Sequence, residues 1–294
     1  MPLNLFLYRL KFCILVLTEK HTQQFALYYL FCFLINYVWN YFAGLTFTTL
    51  QPVFFLNRLD FTLNLLLLTN LHHFIIESSI LRICFDLLNL LLPCVLVYSF
   101  IKKGRFTGLL ALTTSCFALI YYLLFSAMSF YSAEVFIAWI FIPLILHARS
   151  TERFYYMLHI VRIIFIIVFF SSALWKIRTG AMFNTEQMSA ILLKQHGSLL
   201  ANNSSSPYAA VITYLINTKA ISFSLYWLGF LTELIFVTGL FTKRFDKLLI
   251  IFLFLFLLFD YALMGINYFP WIVFGGCFYF SNYLMPAIVK PGLK

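Results

Sequence analysis

The sequence predicts an all-α fold, a polytopic integral membrane bundle of about eight transmembrane helices, with seven and nine as the neighbouring counts. Two observations carry this. Of 294 residues, 63% are hydrophobic and 10% charged, with a mean hydropathy of +0.94; soluble domains average about 45–50% apolar and about 25% charged. The apolar residues also come in unbroken runs. LLIIFLFLFLLF at 248–259 is apolar all round and leaves no face for water. Lipid admits only helices or closed barrels as spanning backbone, and runs without alternation are not barrel strands.

The elements follow in order, and the chain reads as a single membrane domain over 1–294. Residues 1–23 form a cytoplasmic or interfacial start: Arg9 and Lys11 interrupt its apolar part, and no small-residue cleavage site follows. An in-plane helix or a poorly ordered start is the expectation there. Spans are expected at about 24–46, 80–101, 106–128, 135–147, 156–176, 222–241, 247–267 and 270–288. The apolar piece at about 60–71 is too short to cross and is expected to be interfacial or re-entrant. Pro143 marks the short span at 135–147 for a kink. The KKGR turn (102–105) makes its two neighbours an antiparallel hairpin.

Charge sets the orientation. The net charge of +10 does not point to nucleic acid, because the cations are scattered through short loops with no basic stripe or stacking platform. Arg9, Lys11, Lys20, KKGR, HARSTER (147–153), TKRFDK (242–247), Lys290 and Lys294 fall on one side. Arg58, Lys176, Arg178, Lys194 and Lys219 fall on the other. Both termini are therefore expected in the cytoplasm of a multi-pass cell-membrane protein, with the loop 177–221 outside. In that loop Asn184 is placed to cap a short amphipathic helix, with Gln187 bonding back and Gly197 as its stop. NNSSSP (202–207) reads as a polar turn with Asn-X-Ser sites at Asn202 and Asn203.

Ionisable groups inside a bilayer are costly and usually face the bundle interior in pairs. Here they are Arg82, Asp86, Glu134, Arg162, Lys176, Glu233 and Asp260. Arg162 and Glu233 are expected to form a structural ion pair in the cytoplasmic half. Lys176 and Arg178 close the apolar run IIFIIVFFSSALW. Lys176 reads either as a snorkelling anchor beside Trp175 or as a desolvated lysine that serves as a base. A nearby Asp260 would favour binding over strong-base chemistry. Glu134, Asp260, His196 and Arg178 are the candidate binding residues around it. No metal site is expected: the six cysteines lack ligand spacing, and the adjacent His72 and His73 point about 100° apart on a helix.

The region 157–280 resembles the membrane domain of vitamin K-dependent gamma-carboxylases and their bacterial relatives, the horizontally transferred transmembrane (HTTM) family. The resemblance lies in SSALWKI with Lys176, in Gly180 and the short helix after it, in TELIFVTGLFTKRFDK with Glu233, and in LFDYALMGINYFPWIVF with its Phe269-Pro270-Trp271 step. It implies that Lys176 is the catalytic base and that a quinone-like or vitamin K-like lipid is the cofactor. Departures limit it. SAMSFYSAEVF (126–136) lacks the family's histidine, and Asp260 stands where another is typical. With no large soluble domain expected, carboxylation of a protein substrate is not implied. The small DoxX/MauE membrane proteins are a more distant likeness. Three functions stay open: an enzyme on a lipid-soluble substrate, an ion-coupled transporter, or a scaffold for another membrane protein. The expected partners are the lipid bilayer and a lipid-soluble small molecule.

Overall fold

The computed structural model describes residues 16–50, 61–129, 131–203 and 205–283. The start of the chain, Arg9, Lys11, Arg58, Lys290, Lys294 and the last part of the 270–288 span lie outside these residues. The described chain is helical. In order come α1 (Glu19–Phe42), the short α2 (Phe61–Leu68) and α3 (Leu71–Glu77), α4 (Ser79–Ile101), α5 (Thr107–Met128) and α6 (Ile137–Ile145). They are followed by α7 (Thr151–Arg178), α8 (Gln187–Asn202), α9 (Pro207–Asn217), α10 (Lys219–Ile235), α11 (Thr238–Phe241), α12 (Asp246–Phe259) and α13 (Ile272–Ser281).

Among the described residues, six segments are long and apolar enough to cross a membrane: α1, α4, α5, α7, the α10–α11 unit Lys219–Phe241, and Asp246–Met264. Ala133–Ile145 and Phe269–Ser281 are apolar but shorter. At 1.5 Å per residue they reach about 20 Å, against about 30 Å of hydrocarbon. Among the described residues, two of the expected spans, 135–147 and 270–288, correspond to these shorter helices, and the other six to the long ones. Large apolar side chains such as Phe31, Ile35, Leu109, Ile251 and Leu258 are exposed along the long helices. That is the surface of a membrane-embedded bundle, where lipid and not water is the neighbour.

Polar contacts sort the connections into two ends. At one end Lys103 Nζ lies 2.8 Å from Glu19 Oε2, the Arg149 guanidinium donates to the Arg105 carbonyl, and Lys243 donates to Tyr155 Oη and the Ser281 carbonyl. The KKGR turn closes the α4–α5 hairpin, with Ser99 Oγ and Thr107 Oγ1 2.8 Å apart across it. At the other end the buried Asp86 carboxylate accepts from the backbone N–H groups of Phe47 and Thr48 and from Tyr121 Oη at 2.6 Å. It staples the loop after α1 to α4 and α5.

The core is one large aromatic cluster around Phe25, Trp139, Phe165 and Phe274, plus a smaller one that includes Ala173, Met188, Leu192, Ile212, Tyr226 and Phe230. The smaller cluster is the seat of the 177–221 segment, where α8 and α9 pack on each other and α8 packs on α10. This segment differs from its expected form. Asn184 Oδ1 accepts from the Glu186 N–H, two residues on, and α8 begins at Gln187. It then runs through Gly197 to Asn202, because packing against α9 outweighs the local preference of glycine to stop a helix. On the far side of the polar turn, Ser206 Oγ accepts from the Ala209 N–H and Pro207 opens α9. Ser-Pro is a helix-start signal in its own right.

Candidate functional site

The C-terminal turns of α7 and the buried stripe of α10 meet beside the smaller cluster. On α7, Ser172 and Lys176 are one turn apart and share a face. On α10, Ser222, Tyr226, Phe230 and Glu233 recur at helical spacing and are buried. Lys176 Nζ donates to Glu233 Oε1 at 2.6 Å, and Ser172 Oγ donates to the same oxygen at 3.0 Å. The ammonium stands 5.6 Å from the Tyr226 ring centre. The Lys176 side chain is 23% exposed and that of Glu233 4%. Glu233 Oε2 is buried and has no hydrogen-bond partner among the described residues.

Helix geometry explains why Lys176 turns inward. Side chains on an α-helix lean toward its N-terminus. For Lys176, near the C-terminal end of α7, that direction leads back past Ser172 into the bundle. Its neighbours do the anchoring instead: Trp175 is 60% exposed, and the Arg178 guanidinium carbon lies 5.3 Å from its ring centre. Arg178, expected among the binding residues, is exposed and belongs to this surface pair.

The expected Arg162–Glu233 pair is not formed. Arg162 donates instead to Asp246, from Nε to Oδ2 at 3.0 Å and from Nη2 to Oδ1 at 2.5 Å, and also to the Gly239 carbonyl at 2.9 Å. The reason is axial position. Arg162 and Lys176 are about 21 Å apart along α7 at 1.5 Å per residue, and Glu233 lies level with the lysine. Asp246, between Lys243, Arg244 and Lys247, reads as a loop charge in sequence but is fully buried at the start of α12. Gly239 is needed here: a Cβ on it would come within 2.8 Å of Ile166 Cδ1 and 3.4 Å of Arg162 Nη2.

Asp260 opens a π-helical turn, Asp260–Met264, which ends at Gly265 in the left-handed region at φ 66°. The widened turn displaces carbonyls from the regular ladder. His196 Nε2 donates to the Leu263 carbonyl at 2.7 Å, and Tyr208 Oη donates to the Ala262 carbonyl at 2.8 Å. The carbonyl fixes the proton on Nε2 of His196. A side chain on Gly265 would combine the unfavourable φ with a Cβ 3.5 Å from His196 Cε1. His196 thus clamps the turn that carries Asp260.

Asp260 is half-buried, lies within electrostatic reach of Lys176 and Glu233, and has no hydrogen bond to its carboxylate among the described residues. Tyr268 interacts electrostatically with Asp260, Glu233 and Glu134. Its Oη reaches Glu134 Oε1 at 3.4 Å, and Trp271 Nε1 donates to the Glu134 carbonyl at 3.1 Å. Glu134 itself is exposed and sits at the edge of the group. The structure thus brings together Lys176, Glu233 and Asp260, with Glu134 joined through Tyr268. Sequence reading did not single out Ser172, Tyr226 or Tyr268. The one-turn spacing of Ser172 to Lys176 is a signal that could have found the first. No group of three metal-ligating side chains occurs among the described residues. No family model matches the chain, and neither a curated protein nor a solved structure matches it.

Proposed function

We propose that this protein carries out proton transfer on a lipid-soluble substrate admitted from the non-cytoplasmic side, in the manner of the carboxylase-like membrane family. Lys176 is the acid–base group, and Glu233 is the partner that sets its charge. The observation that carries this reading is the inward Lys176–Glu233 pair with a second carboxylate, Asp260, in electrostatic reach. One proton moving along the 2.6 Å hydrogen bond turns ammonium and carboxylate into amine and acid, with no change in net charge. Because Glu233 and Asp260 both favour the ammonium, the amine is scarce and the proton it takes comes from an acidic O–H of the substrate. The substrate anion is left beside an ammonium, and Asp260 receives the proton that Glu233 gives up. A quinone-like or vitamin K-like lipid, the class that the resemblance brings, fits in one respect: its reduced form carries a hydroxyl that can donate to the unpartnered Glu233 Oε2.

The reading puts 177–221 outside and both termini in the cytoplasm. The convergence of Lys103, Arg105, Arg149 and Lys243 on the opposite end of the bundle supports it. The test compares lipids that co-purify from native membranes with the parent protein and with Lys176→Met and Glu233→Gln. The expected result is a species enriched over bulk lipid in the parent and lost in both folded variants. Equal retention by all three contradicts the reading. Asp260, with no hydrogen bond to its carboxylate among the described residues and on a π-turn, favours an ion-coupled carrier as the second reading. Proteoliposome flux abolished by Asp260→Asn would decide for it.

A further inference from the structure

The end of the bundle that carries the KKGR turn holds a lysine whose charge is not matched. Among the described residues, four lysines make side-chain hydrogen bonds, and Lys103, Lys176 and Lys219 each bond a glutamate. Lys243 bonds two neutral oxygens instead, Tyr155 Oη at 2.7 Å and the Ser281 carbonyl at 2.9 Å. Its ammonium also lies 4.8 Å from the Tyr155 ring centre. Lys243 is half-buried, in the loop between the apolar segments Lys219–Phe241 and Asp246–Met264.

No carboxylate among the described residues pairs with Lys243. Asp246 is the nearest acid in sequence, but its two oxygens are spent on Arg162 and Ser281 Oγ. His159 lies within electrostatic reach of Lys243 and Arg162 and is not an anion in either protonation state. The Ser281 carbonyl belongs to the last turn of α13, and a helix C-terminus offers only about half a negative charge. A positive charge is thus left over where buried charges are normally paired. Donors are left over as well. An ammonium has three N–H groups, of which two are used here. Tyr155 Oη accepts from Lys243, and its own O–H is bonded to no acceptor among the described residues.

We propose that Lys243 and Tyr155 form a binding site for the phosphate of an acidic membrane lipid. The phosphate accepts from the third ammonium N–H and from the Tyr155 O–H, and its charge balances the one left over. The surroundings favour a lipid over a free anion. The loop joins two segments long and apolar enough to cross a membrane, which sets it at headgroup depth. Phe241 and Phe245, two residues to either side of Lys243, are exposed and offer an apolar seat to acyl chains. Tyr156, also exposed, adds to that seat, its ring centre 6.0 Å from that of Tyr155. The headgroup is one without a cation of its own, because the exposed Arg244 and Lys247 flank the site and would repel one.

The test titrates the full chain in detergent with phosphatidylglycerol, with phosphatidylcholine of the same acyl chains, and with inorganic phosphate, and reads bound adducts by native mass spectrometry. The parent is expected to bind phosphatidylglycerol about tenfold more tightly than phosphatidylcholine, and Lys243→Gln to lose that preference. Lys103→Gln, which removes a cation from the same end of the bundle, is expected to keep it. Equal affinity of the parent for the two lipids overturns the proposal, as does a preference undiminished in Lys243→Gln. An equal loss in Lys103→Gln and Lys243→Gln would mean a diffuse positive surface and no site, which also overturns it. Inorganic phosphate is expected not to displace the bound phosphatidylglycerol; displacement at matching concentrations would assign the site to the free anion and overturn the lipid. Should Lys243→Gln fail to fold, Tyr155→Phe decides, since it keeps the ammonium and its bond to the Ser281 carbonyl. Weaker binding of phosphatidylglycerol at an unchanged Tm is expected of it, and unchanged binding overturns the proposal.

Discussion

Arg162–Asp246 and Lys176–Glu233 are two buried ion pairs on the same helix, α7, and they are finished differently. The first is saturated. Asp246 takes two bonds from Arg162 and one from Ser281 Oγ, and the guanidinium also holds the Gly239 carbonyl and lies 5.3 Å from the Phe278 ring centre. Its side chains are 1% and 0% exposed. The second is open. Lys176 is 23% exposed, Glu233 Oε2 has no partner among the described residues, and Asp260 stands by without a hydrogen bond to its carboxylate. Between them lies an aromatic layer: Phe165 stacks on Phe274 at 4.2 Å, and Phe169 meets Phe236 at 4.3 Å and Trp271 at 5.5 Å. The bundle thus holds one pair with no spare capacity for a ligand and another with capacity left over. A planar guanidinium suits the first task, since its donors are fixed in a fork, and a lysine suits the second, since it can give up its proton.

The largest effect is expected at the closed pair. Asp246→Ala leaves a guanidinium buried without its counter-ion and is expected to cost about 3–5 kcal/mol. The readout is loss of monodisperse protein in detergent and a steep fall in Tm. At the open pair, Lys176→Met is expected to cost less, about 1–3 kcal/mol, because the carboxylate left behind can take up a proton. Lys176→Met/Glu233→Gln should recover most of that loss, as thermal unfolding of the three proteins would reveal. A full recovery by the matching Arg162→Met/Asp246→Asn protein would erase the distinction, since four hydrogen bonds, one of them to the Gly239 carbonyl, should not be replaceable.

A smaller effect sharpens the open side. His196→Ala removes one bond to the Leu263 carbonyl and is expected to cost about 1 kcal/mol. Hydrogen exchange should speed up at 260–266 and stay unchanged at Arg162. The smallest effect belongs to the surface pair Lys219–Glu186. The hydrogen bond from Lys219, and then its charge, hold the Glu186 carboxyl below the usual carboxylate range. Its contribution is therefore present above the ordinary glutamate pKa and fades as pH falls through the depressed value. Glu186→Gln should remove that acid-side slope with little change in Tm at neutral pH, and salt should mimic the substitution.

The long helices are legible in sequence because lipid imposes a length and an apolar composition on any crossing segment. The KKGR hairpin is legible because four residues between two apolar runs leave no other connection. What is not legible is depth. Sequence places Glu233 by counting along its own helix, whereas its partner follows from how α10 slides against α7. The same ambiguity hides Asp246, whose basic neighbours make it look solvated although it lies in the core. Asp260 is recognisable as an acid in an apolar run. The π-turn beneath it has no local marker, because it is held by His196 and Tyr208 from distant parts of the chain.

The Lys176 ammonium faces Glu233 and not the headgroups. Amine labelling with a water-soluble, membrane-impermeant sulfonated ester, read residue by residue by mass spectrometry in proteoliposomes, tests it directly. Fast labelling of the exposed Lys194 and Lys219, slow labelling of Lys176, and a marked rise at Lys176 in Glu233→Ala are expected. Labelling of Lys176 as fast as Lys194 in the parent protein, unchanged by Glu233→Ala, would contradict it.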